Sequence, residues 1–207
     1  MSLIGIIDHK FGNTKSVLNL INYLNVNYKL CKSHKDLNDC SHIILPGIGS
    51  FNETMNNLDK LHFIDSLEQN VIEKKKFFLG ICVGFQILFS KGLEFGETKG
   101  LNWIQGICEK FNSKKKIILP HCGWNKIASY KKIKILKNIS SADEYFYFLH
   151  SYMIKFFDNS TDIKFAYTKY GQKFISAVEK NNIFGVQFHP EKSQQNGISV
   201  LKAFCSL

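Results

Sequence analysis

The sequence contains no arginine; all 27 of its basic residues are lysine. Set against 17 acidic residues they leave a net charge of +10, which taken alone suggests a phosphate-bearing partner. The missing guanidinium argues against that, because bidentate recognition of phosphates and bases rests largely on arginine. The lysine runs at 74–76, 114–116 and 131–134 stand apart at element ends, as solvated charges do, and form no single basic stripe. No nucleic-acid partner is therefore expected. Proline is scarce, three residues in 207, and no Pro- or Ser-rich linker interrupts the chain, so one domain over 1–207 is expected. The six cysteines (31, 40, 82, 108, 122 and 205) form no C-x-x-C pair and no zinc-ligand spacing. No apolar run approaches the roughly 20 residues that span a bilayer, and the first eight residues lack the charged start of a signal peptide. The expectation is a cytoplasmic protein with reduced thiols, no metal and no membrane partner.

What is present is an ordinary globular composition, 44% hydrophobic and 21% charged. Short apolar runs at 3–7, 28–31 and 42–45 alternate with apolar residues at helical spacing, first Val17, Leu18, Ile21 and Leu24, later Leu61, Ile64, Leu67, Val71 and Ile72. That alternation predicts an α/β fold, a mixed and mostly parallel open sheet flanked by helices, with sites at the C-terminal ends of strands. Helices are expected at 52–58 and 61–75, with a strand at 77–81. From 103 to 180 strand-like runs dominate, at 106–111, 117–119, 133–136, 145–150, 163–167 and 174–178, and predict β-hairpins added to the sheet. A last strand is expected at 183–188 and a last helix at 198–204.

The chemistry centres on Gly80-Ile-Cys-Val-Gly84, where an apolar strand meets residues 85–90 at helical spacing. The spacing mirrors the nucleophile elbow, whose flanking glycines let the backbone turn tightly and leave the central side chain exposed. A helix N-terminus at Cys82 would favour its thiolate. A lone cysteine in an apolar run is equally a small core residue, and the local pattern leaves both readings open. A nucleophile needs a base and the base an orienting acid, which His189-Pro-Glu191 supplies, with Pro190 fixing the turn between them. His121 and His150 are weaker candidates for the base. The loop Pro46-Gly-Ile-Gly49 is either a plain strand-to-helix turn or a peptide whose N–H groups face a pocket.

Together these motifs resemble the class I (triad) glutamine amidotransferases. More narrowly, Leu45-Pro-Gly-Ile-Gly-Ser-Phe51, Leu119-Pro-His-Cys-Gly-Trp-Asn125, Tyr147-Phe-Leu-His-Ser-Tyr152 and Gly185-Val-Gln-Phe-His-Pro-Glu-Lys-Ser193 look like the glutaminase subunits of imidazole glycerol phosphate synthases, over nearly the whole chain. The resemblance implies a flavodoxin-like core. It also implies hydrolysis of L-glutamine through a thioester on Cys82, with His189 as proton relay and Glu191 as its orienter, and without a cofactor. It places the oxyanion site at Val83 and the loop of Gly47, Ile48 and Gly49. The substrate's amino-acid end falls to Gln86 and Glu94, with a backbone contact at Ser151 and Tyr152. It further implies a heterodimer in which ammonia passes to a (β/α)₈-barrel synthase subunit, with Asn13, Trp124 and Lys192 at the interface. The bland readings of Trp124 and Lys192 are a core aromatic and a solvated charge. Three departures bear on the partner: Asp8-His-Lys-Phe-Gly-Asn13 where Asp-Tyr-Gly-x-Gly-Asn is usual, a less acidic 90–100, and Cys122 for a usual methionine. A similar subunit that supplies ammonia for amination of a sugar nucleotide in surface polysaccharide or flagellin glycan synthesis is the alternative. A cysteine hydrolase or peptidase of the same architecture is a second, though it would have no need of Gln86, Glu94 or a partner-facing Trp124.

Overall fold

The computed structural model describes residues 2–10, 14–112, 117–140, 144–157 and 161–207. The chain runs β1 (Ile4–Ile7), α1 (Thr14–Tyr23), β2 (Tyr28–Cys31), β3 (His42–Leu45), α2 (Phe51–Lys60), α3 (Phe63–Leu67), β4 (Phe77–Ile81), α4 (Val83–Gln86), β5 (Phe89–Gly92), β6 (Thr98–Lys99), β7 (Ile104–Lys110), β8 (His121–Lys126), β9 (Tyr145–His150), β10 (Tyr152–Phe156), β11 (Ile163–Tyr170), β12 (Gln172–Lys180), β13 (Ile183–Val186) and α5 (Gln194–Cys205). The fold is α/β, as expected. The main sheet has the order β11-β12-β13-β4-β3-β1-β2, parallel from β2 through β13 and antiparallel at β12 and β11.

Strands β1, β3 and β13 are buried at every residue, which is why they are unbroken apolar runs rather than alternating ones. Successive side chains feed opposite layers. Ile4, Ile6, Ile44, Leu79, Phe184 and Val186 pack with α1 and α5, whereas Ile7, Ile43, Leu45, Phe78 and Ile183 pack with α2 and α3. The middle of β1 is glycine for want of space. A Cβ on Gly5 would stand 2.7 Å from the sulfur of Cys40 and 3.1 Å from that of Cys31, and those two buried sulfurs are 3.9 Å apart.

The added hairpins arise as expected, from β11 and β12 on the main sheet, from β8 with β9, and in a four-stranded sheet of order β10-β7-β5-β6. Four local expectations fail. The helix foreseen over 61–75 is α3 followed by a wider π turn at Glu68–Glu73, because the Asn70 side chain donates to the Ser66 carbonyl that its own backbone N–H would use. The helix foreseen from Cys82 to 90 stops at Gln86, since the N–H groups of Leu101 and Gly100 take the carbonyls of Ile87 and Ser90 and draw the next residues into β5. Residues 117–119 form no strand, and 133–136 form a tight 3₁₀ turn at Lys134–Leu136 whose Ile135 and Leu136 are buried. Among the described residues no helix is long and apolar enough to cross a membrane.

Candidate active site

The site lies where β3, β4 and β13 end. Cys82 follows β4 with φ 55° and ψ −107°, a conformation that an L residue holds only when its surroundings enforce it. Here the glycines enforce it. A Cβ on Gly80 would fall 2.2 Å from the carbonyl oxygen of Gly84, and one on Gly84 would fall 2.2 Å from that of Leu45. The Cys82 N–H is held by the Val186 carbonyl at 2.8 Å. Its sulfur, on a residue only 7% exposed, lies 3.8 Å from the Leu149 carbonyl and 3.6 Å from Nε2 of Gln187. Because α4 is a single turn, the helix dipole foreseen at Cys82 is weak. A nearby cation takes its place.

That cation is His189. Its N–H is fixed by the Tyr147 carbonyl, and Nδ1 lies 2.8 Å from Oε1 of Glu191, both side chains being buried. Burial opposes charge on the imidazole. The adjoining Cys82 sulfur and the Glu191 carboxylate outweigh it and push the pKa up to about 10. Nε2 is buried without a hydrogen-bond partner of good geometry, so the sulfur acts on the ring chiefly through charge. Cysteine, histidine and glutamate are thus brought together, and Cys82, though packed at the edge of the core, also faces a cavity.

Ile48, Gly49, Cys82, Val83, Gln86, Glu94, Pro120, Leu149, His150, Ser151, Tyr152 and His189 enclose a cavity of about 240 Å³. A larger depression of about 770 Å³ beside Tyr23 and Lys202 is lined by no histidine or acid. Gly47 does not reach the cavity. It packs on the elbow, where a Cβ would collide with the side chain of Val83 and the N–H of Gly84. Glu94 accepts from the Phe51 N–H at 2.9 Å, and its carboxyl pKa is raised by burial, against that hydrogen bond and with the charge of Glu53. Among the described residues no cluster of His, Cys, Asp or Glu is placed to hold a metal ion. Trp124 is 47% exposed, which excludes the core reading. Its ring meets Tyr147 edge-on at 6.2 Å, and the Lys192 ammonium lies 5.6 Å from the Tyr147 ring centroid. Asn13 lies outside the described residues.

The model of the family Glutamine amidotransferase class-I matches residues 5–206. The chain belongs to the class-I glutamine amidotransferases. It is therefore a glutamine-hydrolysing enzyme. The chain is similar to proteins named imidazole glycerol phosphate synthase subunit HisH. The one from Leptospira interrogans is 42% identical over 208 residues, 99% of this chain and 100% of that protein. HisH 1 of Campylobacter jejuni strain RM1221 is 38% identical over 205 residues, 99% and 100% of the two chains. Among solved structures, a crystal structure of a glutamine amidotransferase superposes with a TM-score of 0.73 at 14% identity, covering 98% of this chain and 97% of the other. The structure of PurLQS from Thermotoga maritima gives 0.72 at 18%, covering 99% and 98%. Those two are likenesses of fold.

For this amidotransferase the motifs gave no role to three groups: Gln187, which meets the Cys82 sulfur, and Pro120 and Leu149 in the cavity wall. Gln187 stands inside the quoted Gly185–Ser193 motif, and its polar side chain, buried beside the apolar β13, was the available signal. His9 was missed as well. It is buried with Nε2 on the Pro46 carbonyl at 2.9 Å, at the base of the glycine loop.

The buried histidines set an acid limit. Burial lowers His121 to about 4 and His150 to about 3, the latter against the Tyr152 carbonyl and with help from its neighbours His121 and His189. Both take up protons on unfolding below pH 6.5, so the stability they hold is complete above 6.5 and drains away as pH falls toward 4. His189 runs the other way, complete below 6.5 and lost as pH rises toward 10. Maximum stability is expected near pH 6.5–7, with roughly 2 kcal/mol lost per buried neutral histidine by pH 5. Urea midpoints across pH 5–9 check this, and a midpoint still rising at pH 5 as acid is added contradicts it.

Proposed function

We propose that this chain is the glutaminase subunit of an imidazole glycerol phosphate synthase. It hydrolyses glutamine at Cys82 and delivers the ammonia to a (β/α)₈-barrel synthase subunit in a heterodimer. The observation that carries the chemistry is the Cys82–His189–Glu191 set opening into a cavity of amino-acid size. The pathway is supported by full-length similarity to proteins named HisH.

In this reading the Cys82 thiolate adds to the carboxamide carbon of glutamine. Val83 and the loop residues Ile48 and Gly49 supply N–H groups to the oxyanion, with Gly47 packing that loop onto the elbow. Collapse breaks the C–N bond, and the His189 imidazolium gives its proton to the departing nitrogen, leaving a glutamyl thioester and ammonia. Water then attacks the thioester, His189 takes its proton, and glutamate leaves with the thiolate restored. Glu191 holds the imidazole through Nδ1 throughout. Glu94 receives the substrate ammonium, Gln86 its amino-acid end, and the Ser151–Tyr152 backbone one further contact. Trp124 and Lys192, exposed around Tyr147, suit a partner-covered rim, and Asn13 joins them by the resemblance alone. The cytoplasm suits such a biosynthetic role.

The second reading, ammonia supply for a sugar nucleotide, is favoured by one observation: buried His9 holds the Pro46 carbonyl in the segment that departs from the usual histidine-pathway sequence. Mixing the chain with a histidine-pathway barrel subunit and glutamine tests the two. The first reading expects glutamate release to rise with the partner and with its acceptor ligand, and nitrogen from labelled glutamine to enter the imidazole product. Stimulation by a sugar-nucleotide-aminating subunit instead transfers the assignment to the second reading. Full activity of the chain alone sinks partner gating.

A further inference from the structure

His121 and His150 are buried, face each other in register across β8 and β9, and have no role in the hydrolysis as written. Their hydrogen bonds fix where their protons sit. The Tyr152 carbonyl can only accept, so His150 donates to it from Nδ1 at 2.7 Å. His150 Nε2 is then an acceptor, and His121 Nδ1 donates to it at 3.0 Å. His121 Nε2 in turn accepts from Nδ2 of Asn125 at 3.2 Å, and the same amide group donates to the Lys169 carbonyl at 3.1 Å. All four ring nitrogens are thereby matched, and the donors point one way, from the hairpin edge inward. At the inner end the Tyr152 carbonyl also accepts from Nε2 of Gln86 at 3.3 Å. Nε2 of Gln86 donates as well to Oε1 of Gln187 at 3.0 Å, and Gln187 Nε2 faces the Cys82 sulfur. Burial keeps both imidazoles neutral, as this pattern requires.

We propose that His150, set by His121 and Asn125, is a positioning residue for glutamine: it fixes the Tyr152 carbonyl, which holds the Gln86 amide nitrogen against the protein and leaves the Gln86 oxygen to receive an N–H of the ligand. The proposal rests on the glutaminase reading above. It gives His121 and His150 one shared task, the recognition of an α-amino acid rather than proton transfer.

The test uses the full chain and the chloroketone analogue of glutamine, from which the Cys82 sulfur displaces chloride. Its saturation constant reports binding, and alkylation by iodoacetamide, followed on the Cys82 peptide to separate it from exposed Cys122, reports the sulfur alone. His150→Gln, which lacks a donor at the Nδ1 position, should weaken the saturation constant about tenfold, with iodoacetamide alkylation held within about twofold. His150→Asn, which carries an N–H where Nδ1–H stood, should recover most of that loss. Asn125→Ala, at the hairpin edge, should weaken saturation about threefold, with a thermal melt confirming that the variant is folded. Equal behaviour of His150→Gln and His150→Asn overturns the proposal. So does an iodoacetamide rate that falls in step with the analogue, because that marks a merely structural role. If the unaltered chain shows no saturation with the analogue while iodoacetamide still modifies Cys82, the glutaminase reading fails first and takes the proposal with it.

Discussion

Cys82→Ala should lower glutamine hydrolysis by about 10⁴-fold or more in the partner-bound enzyme, because loss of the nucleophile removes the thioester route and leaves His189 and the N–H donors nothing to act on. The same position should show an inverted stability order. Cys82 holds φ 55°, where alanine is strained and glycine is not. Cys82→Gly is therefore expected to be more stable than Cys82→Ala by about 1–2 kcal/mol, or roughly 2–8 °C in Tm, although glycine usually destabilises relative to alanine. Ammonia release and thermal melts of the two variants give both readouts. Residual hydrolysis within tenfold of the unaltered enzyme removes Cys82 from the chemistry, and a more stable alanine variant removes the strain.

Gly84→Ala should be a strongly damaging single methyl in the elbow. Its Cβ would meet the carbonyl oxygen of Leu45 at 2.2 Å, and that contact is backbone on backbone, in two buried elements that no rotamer can clear. Displacing β3 from α4 costs about 3 kcal/mol or more, a fall of roughly 6–12 °C for a chain of this size. Gly96→Ala is the control. It has φ +108° with nothing within 4 Å, so it bears conformational strain alone, about 1 kcal/mol. A Gly84→Ala melt within about 2 °C of the unaltered protein would show that the turn is loose, and the enforced geometry of Cys82 would lose its cause.

Legibility in the sequence followed chain distance. The elbow is written in five consecutive residues, and the His189–Glu191 pair in three, so G-x-C-x-G and His-Pro-Glu could be read directly. The parallel strands were legible for a related reason: Ile43-Ile44-Leu45 and its neighbours are apolar on both faces, and only a doubly covered strand needs that. What stayed hidden depends on long-range partners. Gln187 meets Cys82 across 105 positions and the Leu149 carbonyl meets it across 67. The elbow helix read too long because Ile87, Leu88 and Phe89 are buried as helical residues would be, and the carbonyls that end the helix are captured by a loop ten or more residues away. Trp124 showed the opposite limit: a large aromatic carries no local sign that it will stand exposed.

Gly5 constrains how this chain can change over generations. A side chain there clashes with the sulfurs of Cys40 and Cys31, whereas shortening Cys40 first opens a small void at a cost of about 1 kcal/mol. The two substitutions are therefore passable in one order only, cysteine before glycine. Three positions scattered over 36 residues of sequence amount to a single heritable character, which descendants keep whole or dismantle from one end.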